Sequence, residues 1–361
     1  MKSFEQVFGG TLQAVGDAPG RVNLLGEHTD YNDGYVLPIA IPQKTRVAMR
    51  RRVADRFTVY AANLDRTVTF DWKAPPTDGF ATYVFGCLFE ARAEGFGVPP
   101  LDIHLSSNVP IGVGLSSSAA LEVATLRALR TLLNVQQLDD VRLAQLAQRA
   151  EVMHAGVRCG IMDQMAASLA GTKQALFLDT RTLHRCLVPL PPDSAVLVLD
   201  SGIKRSLAGS AFNQRREECE EAARQLGVRA LRDISADQLA KLDTLDEPLR
   251  SRARHVVTEN ARVLQAVECG DPVEFGALMN ASHASLRDDF NVSVPALDRL
   301  VALLQAQPEV YGARLTGAGF GGACVALCRP SAVASVATQA LDEYAAEGFN
   351  GALLVPPCEA S

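Results

Sequence analysis

Residues 108–122, NVPIGVGLSSSAALE, carry the clearest indication of the fold in this sequence. An apolar stretch runs into Gly112 and Gly114, three serines follow, and strong helix formers begin immediately afterwards. Glycine lets the backbone reach positive φ and approach a ligand closely, and the new helix presents unpaired N–H groups and its positive dipole end. This order of residues predicts an anion-binding loop, and phosphate is its natural occupant.

An ordinary capped helix after a flexible turn is the alternative interpretation of this stretch, because serine is a favoured N-cap residue. The Walker pattern GxxxxGK[ST] does not occur in the sequence. The loop therefore predicts a phosphate site of another kind. A serine hydroxyl in the first helical turn also suits Mg²⁺, which prefers oxygen ligands.

A second glycine cluster, GAGFGG at 317–322, formally satisfies GxGxxG, and Asp342 lies 20 residues beyond it. A dinucleotide-binding loop must open a helix within a βαβ unit. Here the strand-like run ACVALC follows instead. The pattern therefore predicts a strand, a tight glycine turn and a second strand, and it disfavours a nicotinamide-dependent dehydrogenase.

The segment 18–34 concentrates polar side chains among glycine and proline, namely Arg21, Asn23, Glu27, His28, Asp30 and Asn32. Carboxylates accept hydrogen bonds from hydroxyl groups and imidazole can donate or accept, so this loop suits a polyhydroxylated ligand. The planar guanidinium of Arg21 suits a phosphoryl group in transfer. A solvated surface loop is one alternative, and a metal held by His28, Glu27 and Asp30 is another.

Alternating and apolar runs between 19 and 72 predict a β-rich opening. Helical spacing follows at 83–93, 140–154, 210–226, 249–270, 272–288 and 295–307. Strand runs and helix runs occur without steady βαβ alternation, which indicates an α+β fold. A proline-rich hinge near 185–195 divides the chain into two predicted lobes, residues 1–190 and 191–361.

Composition restricts the classes of function. The chain has 361 residues, 48% of them hydrophobic, with a net charge of −6, which gives no attraction to nucleic acid or to an anionic membrane surface. No stretch has the length of a signal peptide core or a membrane span. Eight scattered cysteines predict free thiols rather than a disulfide scaffold. We expect a cytoplasmic protein with small-molecule partners, and a monomer, although the sequence leaves an oligomer open.

Several ordered motifs carry a family resemblance. GRVNLLGEHTDYNDGYVLP at 20–38 resembles the galactokinase signature, NVPIGVGLSSSAALEVA at 108–124 resembles the phosphate loop of the GHMP kinases, and LTGAGFGG at 315–322 resembles their third motif. CGIMDQ at 159–164 and SHASLRDDF at 282–290 are similar to further galactokinase segments. The resemblance extends over most of the chain.

The resemblance implies a two-lobed GHMP kinase fold, with mixed β-sheets and helices in each lobe and the active site in the cleft between lobes. It implies that ATP phosphates lie against Gly112, Val113, Gly114, Leu115, Ser116, Ser117 and Ser118. It also implies that the sugar is bound by Glu27, His28, Thr29, Asp30, Gly160 and Phe212.

The same resemblance implies ATP-dependent phosphorylation of the anomeric hydroxyl of galactose. Asp163 is then the base, Arg21 is its partner, and Ser118 with Glu151 binds Mg²⁺. This assignment meets the needs of phosphoryl transfer, which are positioning, charge neutralisation and an acceptor for the hydroxyl proton. The segment GIMDQM by itself favours a capping or salt-bridging role for Asp163 over catalysis, and only the combined match reverses this. On spacing alone Glu122, one turn beyond Ser118, competes with Glu151 as a metal ligand.

One departure from the family pattern concerns Phe212, where galactokinases that resemble this chain usually carry tyrosine. Phenylalanine keeps the apolar face but loses a hydroxyl, so sugar selectivity is expected to differ. A GHMP kinase for N-acetylgalactosamine or arabinose, and a non-catalytic sugar sensor, are the alternative functions. The charged groups of SHASLRDDF are expected to form an ion network at a helix end.

Overall fold

The computed structural model describes residues 1–135, 137–204 and 208–355. Contacts between Cα atoms divide the chain into two compact units. The first unit consists of Met1–Arg21, Ala40–Pro110 and Ser116–Ala170, and the second consists of Val22–Ile39, Ile111–Leu115 and the chain from Gly171 onward. These units interleave along the sequence, and the predicted lobes 1–190 and 191–361 stay a prediction.

Helices and strands alternate irregularly along the chain. The strands are β1 Ala14–Asn23, β2 Tyr35–Val36, β3 Pro38–Arg51, β4 Phe57–Ala61, β5 Arg66–Phe70, β6 Leu101–Ser107, β7 Gln174–Asp179, β8 Arg185–Pro189, β9 Ala195–Asp200, β10 Val310–Leu315, β11 Ala323–Cys328 and β12 Ala352–Val355. The helices are α1 Phe4–Phe8, α2 Gly79–Ala93, α3 Ser117–Leu133, α4 Asp140–Ala150, α5 Met162–Leu169, α6 Ala208–Gln225, α7 Leu249–Glu268, α8 Pro272–Asp288, α9 Pro295–Gln305 and α10 Val333–Ala346.

The first unit is built on a mixed sheet with the strand order β1-β3-β6-β4-β5. Strands β3 and β6 are antiparallel, whereas β4 and β6 are parallel. Apolar residues of this sheet and of helices α2 to α5 share one core, in which Val47 and Ile103 of the sheet and Val123 and Leu143 of the helices are fully buried. Burial of these helix faces fixes the N termini of α3 and α5, where the predicted phosphate-loop serines and Asp163 lie.

The second unit contains an antiparallel sheet with the order β10-β11-β9-β12 and a smaller sheet with the order β2-β7-β8. Strand β11, the run ACVALC, is buried along its whole length. Helices α6 to α10 contribute to the core of this unit, together with Leu197, Leu199 and Leu315 from the larger sheet. A strand that is covered on both faces reads as a continuous apolar run, as ACVALC does.

The turn between β10 and β11 is the predicted glycine turn, and β11 after it confirms that no dinucleotide-binding helix opens there. Positive φ angles occur at Gly317, Gly319, Phe320, Gly321 and Gly322. At Gly319, a Cβ atom would lie 2.2 Å from the carbonyl oxygen of Val292, so both the backbone angle and the close approach require glycine.

The predicted fold class is confirmed, since the chain is an α+β protein with mixed sheets and helices. The helix predicted over 140–154 differs in its last turn, because α4 ends at Ala150 and a π-helical turn continues from Glu151 to Ala155. Gly156 has a φ of 73° and its N–H donates to the carbonyl oxygen of Glu151, which closes the wider turn. Such π turns are frequent at functional sites.

Three further sequence predictions concern free cysteines, an ion network at a helix end, and helices long and apolar enough to span a membrane. The seven cysteines within the described residues are free. At the end of α8, Arg287 pairs with Asp288 and Arg254 pairs with Asp289, which confirms the predicted ion network. In the described part of the chain, no helix combines the length and the apolar character needed to cross a bilayer.

Candidate active site

The first unit brings Arg21, at the end of β1, against Asp163, in the first turn of α5. The Arg21 Nε donates to Oδ1 of Asp163 at 2.8 Å, and the Ser116 hydroxyl donates to Oδ2 at 2.5 Å. The arginine side chain is 5% exposed, whereas that of Asp163 is 27% exposed. The carboxylate is thus held by two donors and still accessible to a ligand, as a proton acceptor must be.

The predicted phosphate loop has the backbone that its sequence requires. Gly112, Gly114 and Ser116 have φ angles of 81°, 88° and 56°. Helix α3 begins at Ser117, and Ser116 precedes it without a side-chain cap, since its hydroxyl donates to Asp163. Nothing lies within 4 Å of a Cβ atom placed on Gly112. The loop therefore leaves space beside its glycine and leads into a helix N terminus, where anions bind readily.

Glu151, the predicted metal ligand, lies in a buried acidic cluster of the first unit. The amide Nε2 of Gln164 is 2.6 Å from Oε2 of Glu151 and 3.1 Å from Oε2 of Glu122. The Ser118 hydroxyl also hydrogen-bonds Glu151. The structure thus brings together the predicted pair Ser118 and Glu151, and it places the alternative ligand Glu122 beside them.

The electrostatics of this cluster are unfavourable to negative charge. Burial, followed by the charge of Asp163, raises the pKa of Glu151 to about 7. Burial, followed by the charge of Glu151, raises the pKa of Glu122 well above its usual range. Oε1 of Glu122 has no hydrogen-bond partner within the described residues. No basic side chain of the described residues is among the main causes of either pKa shift.

A divalent cation fits this arrangement. Mg²⁺ is usually held by one or two protein ligands, with phosphate and water oxygens completing its shell. Ser118 and Glu151 provide such oxygen ligands, and the raised pKa of the buried carboxyl shows where positive charge would be favourable. Among the residues that the structure describes, no group of three or more His, Cys, Asp or Glu side chains is arranged to hold a metal by itself.

In the second unit, the carboxylate of Glu27 is buried and surrounded by donors. Its Oε1 accepts from the N–H of Gly317 at 2.5 Å and from the Thr316 hydroxyl at 3.1 Å. Its Oε2 accepts from the Asn23 amide at 3.2 Å, and the Arg314 guanidinium lies 3.6 Å from Oε1. The protein fixes Glu27 firmly and leaves acceptor capacity on Oε2 for a ligand hydroxyl.

His28 is a neutral, buried side chain. Burial is the main cause that lowers the pKa of His28 to about 3. Its Nε2 lies 3.2 Å from the carbonyl oxygen of Ala318, and its Nδ1 lies 2.8 Å from the Tyr31 hydroxyl. Because a carbonyl only accepts, we assign the proton to Nε2, and Nδ1 then accepts from Tyr31.

Phe212, at the predicted tyrosine position, belongs to the same aromatic group. Its ring centroid lies 5.3 Å from that of Tyr31 and 5.6 Å from the imidazole of His28, and the imidazole in turn lies 4.7 Å from the ring of Phe290. The half-buried phenyl ring therefore supports the predicted sugar loop from α6.

The remaining predicted sugar-binding residues differ in how accessible they are. Thr29 is fully buried, and its hydroxyl contacts the carbonyl oxygens of Gly26 and Tyr35, which shapes the loop. Asp30 is half-buried, and its Oδ1 accepts from the N–H of Tyr31. Gly160 is buried and precedes α5. Of these three residues, only Asp30 has a partly exposed side chain.

The β10–β11 turn connects two predicted ligand loops within the second unit. At one end, Gly317 donates to Glu27 and Ala318 accepts from His28. At the other end, the N–H of Ala323 donates to the carbonyl oxygen of Val113 in the phosphate loop. The turn and the first residue of β11 thus hydrogen-bond to both predicted loops, which requires a compact backbone.

Sequence reasoning missed the buried support of the predicted sugar-binding loop. Arg314 is fully buried in β10, and Glu259 of α7 accepts from the N–H of Gly26 at 2.8 Å and from the Ser282 hydroxyl at 2.7 Å. Burial opposes charge on Glu259, but Arg262 and Arg314 lower its pKa to about 2. A lone arginine between apolar residues of a strand, as in ARL at 313–315, is the signal that could have revealed this network.

Comparison with known proteins agrees with this geometry. The galactokinase galactose-binding signature matches residues 2–51, the GHMP kinases N terminal domain matches 82–171, and the GHMP kinases C terminal domain matches 263–346. A mevalonate kinase crystal structure superimposes with a TM-score of 0.67 at 18% identity, covering 94% of this chain and 98% of that one, which reflects the fold alone. Fold and matched domains together define a GHMP kinase.

Relatives with higher sequence identity identify the family within the GHMP kinases. The galactokinase of Roseiflexus sp. (strain RS-1) is 49% identical over 341 residues, which cover 91% of this chain and 87% of that protein. The crystal structure of Lactococcus lactis galactokinase complexed with galactose has a TM-score of 0.91 and 34% identity, covering 98% of this chain and 96% of the other. The chain belongs to the galactokinase family, which confirms the resemblance seen in the motifs.

Proposed function

We propose that this chain transfers the terminal phosphoryl group of ATP to the anomeric hydroxyl of galactose, giving galactose 1-phosphate and ADP. Membership of the family makes it an ATP-dependent galactose kinase. The observation that carries the catalytic proposal is the contact of Asp163 with both Arg21 and Ser116, since it joins a proton acceptor to the phosphate loop.

In the proposed reaction, the carboxylate of Asp163 accepts the proton of the sugar hydroxyl while the hydroxyl oxygen forms a bond to the γ-phosphorus of ATP. The bond from that phosphorus to the bridging oxygen of ADP breaks, and ADP leaves with its electron pair. Arg21 keeps the carboxylate oriented through Oδ1 and offers positive charge to the phosphoryl oxygens. Since the transition state is loose, positioning contributes as much as proton removal.

The segment Gly112–Ser118 is proposed to hold the ATP phosphates through backbone N–H groups and serine hydroxyls. Ser118 and Glu151 would hold the Mg²⁺ that accompanies ATP. When bound, this ion neutralises negative charge on the phosphate oxygens. The buried Glu151 carboxyl beside the Ser118 hydroxyl supports this assignment, because a cation would relieve its unfavourable charge.

The sugar is proposed to contact Glu27, His28, Thr29 and Asp30, and also Gly160 and Phe212. Asp30 and the free acceptor capacity of Glu27 suit sugar hydroxyls. Thr29 shapes the loop around residues 27–30 through hydrogen bonds from its hydroxyl to backbone carbonyl oxygens.

Free thiols in the described chain agree with a cytoplasmic location, and the monomeric state stays a prediction.

A sugar panel tests the proposal. ADP release is measured with galactose, N-acetylgalactosamine, arabinose and glucose at equal concentrations, and the product is identified by ³¹P NMR. We expect galactose to give the highest kcat/KM and a phosphate ester on C1. A faster reaction with another sugar would reassign the substrate, and binding of galactose and ATP without ADP release would indicate a sensor.

A further inference from the structure

Gln164 lies one residue after Asp163 in the first turn of α5, and its side chain is completely buried. Its amide Nε2 reaches Oε2 of Glu151 at 2.6 Å and Oε2 of Glu122 at 3.1 Å. The sulfur of Cys159 is more distant, at 4.0 Å. One amide thus joins two acidic side chains, one from α3 and one from the π-helical turn that follows α4.

The amide presents its donating end to the acidic pair. An amide group has one donating end and one accepting end, and its NH₂ end faces Glu151 and Glu122. A carboxyl group keeps acceptor capacity in both protonation states, so both side chains can accept from this amide. Oε1 of Gln164 has no hydrogen-bond partner in the described residues. The accepting end is left unsatisfied in the core, which costs stability, so the donating end is what this position uses.

A donor between two buried carboxyl groups has a specific effect on Glu151. Without the amide, Glu151 and Glu122 would lose the donor that bridges their Oε2 atoms, and the Glu151 carboxyl group would be less restrained. With it, Oε2 of Glu151 is anchored. Groups that orient a metal ligand in this way typically change metal affinity by about 10–100-fold when they are removed.

We infer that Gln164 is a positioning residue that holds Glu151 in the orientation needed to bind the magnesium ion of MgATP. This inference rests on the proposed role of Glu151 as a metal ligand. Because Gln164 follows Asp163 on the same helical turn, that turn orients the metal ligand and carries the proton acceptor. The motif GIMDQ at 160–164 therefore has two functional side chains rather than one.

The test replaces the amide by a thioether of similar length, Gln164→Met, and measures Mn²⁺ binding to the enzyme with ADP by the EPR signal of free Mn²⁺. We expect the Mn²⁺ affinity to fall by about 10–100-fold. The Mg²⁺ concentration for half-maximal rate should rise by a similar factor, while kcat at saturating Mg²⁺ returns to within about threefold of wild type. A purely structural defect would lower kcat at every Mg²⁺ concentration.

Two variants separate this inference from the function on which it rests. Gln148→Met removes a nearby amide that hydrogen-bonds the backbone of Cys159, and it should leave Mn²⁺ affinity unchanged. Glu151→Gln should abolish tight Mn²⁺ binding. If it does not, the proposed metal ligand is wrong, whereas the sugar panel would still report on the kinase activity.

The inference is overturned if folded Gln164→Met binds Mn²⁺ with wild-type affinity and Glu151→Gln loses tight Mn²⁺ binding. Should Gln164→Met fail to fold, Gln164→Asn keeps an amide in the core and withdraws the donor by one methylene. Weaker Mn²⁺ binding by Gln164→Asn supports the inference, and unchanged binding rejects it.

Discussion

The acidic clusters of the two units bury their charge in different ways. In the first unit, Glu122 and Glu151 share a neutral amide, and burial raises the pKa of each carboxyl. In the second unit, Glu27 lies beside Arg314, and Glu259 lies beside Arg262 with its pKa lowered to about 2. Within the described residues, burial and neighbouring carboxyl groups are the main influences on the first pair, whereas the second cluster contains its own guanidinium groups.

The difference in buried charge indicates which kind of ligand each cluster suits. A buried acidic pair without a counter-charge gains from an incoming cation, as expected beside the phosphates of ATP. A cluster whose carboxylates are already matched by guanidinium groups can position polar atoms for a neutral ligand, as expected for a sugar.

Removing the internal cation of the second unit should be costly. Arg314→Met leaves Glu27 and Glu259 without their matched charge, so the free energy of unfolding should fall by about 3–5 kcal/mol. Urea denaturation at pH 7.5 measures it. As a control, Arg287→Met breaks a surface pair with Asp288 and should cost less than about 1 kcal/mol. Equal losses for the two variants would contradict the contrast.

The corresponding change in the first unit should have the opposite sign. Without metal, Glu151→Gln removes a buried carboxyl group whose charged form is disfavoured by burial, so the free energy of unfolding should rise by on the order of 2 kcal/mol. MgADP should then stabilise the wild type more than the variant. The control Glu268→Gln, at an exposed position, should change neither quantity. Destabilisation of metal-free Glu151→Gln would refute the idea of an uncompensated cluster.

Buried histidines give the second unit a defined pH dependence. Burial lowers the pKa of His255 to about 4 from 6.5. Between these values the unfolded chain binds a proton that the folded chain does not. The contribution of His255 is therefore complete above pH 6.5 and is lost as the pH falls toward 4, at about 1.4 kcal/mol per pH unit.

Urea denaturation at pH 7.5, 6.5 and 5.5 measures this slope. His255→Gln should reduce the slope below pH 6.5 by about 1.4 kcal/mol per pH unit relative to wild type. His184 is exposed, so His184→Gln serves as the control and should keep the wild-type slope. Identical slopes for wild type and His255→Gln would show that this imidazole is not held neutral.

The smallest expected effect concerns the aromatic group beside the sugar loop. Phe212→Tyr restores a hydroxyl at a ring that packs on His28 and Tyr31. One added hydrogen bond should raise the kcat/KM ratio for galactose over a sugar lacking the contacted hydroxyl by about 3–10-fold. Competition assays measure this ratio directly, and an unchanged ratio refutes the prediction.

The fold and the loops were predictable because their signals are local. The strand, glycine turn and strand around 315–328 follow from conformational preference and apolar patterning, and so does the helix after Ser116. The contacts of Asp163 with Arg21 and Ser116 join residues 142 and 47 positions apart. No spacing rule predicts them, so their roles came from the resemblance alone.

Other features lie beyond sequence reasoning for a similar reason. Arg314 meets Glu27 across 287 positions of the chain, and its burial depends on packing of β10 between other elements. Gln164 gains its meaning only from two carboxyl groups that the fold brings to it. The π-helical turn at Glu151 also differs from the regular helix that the apolar stripe predicts, because periodicity alone does not report a widened turn.

The central claim is that Asp163, held by Arg21 and Ser116, accepts the sugar proton during phosphoryl transfer. The most direct test is the steady-state rate of galactose 1-phosphate formation by wild type and by Asp163→Ala, at saturating ATP, galactose and Mg²⁺. We expect kcat to fall by about 10²–10⁴-fold, while the affinity for ADP·Mn²⁺ stays unchanged. An Asp163→Ala variant that keeps more than about a tenth of the wild-type kcat would contradict it.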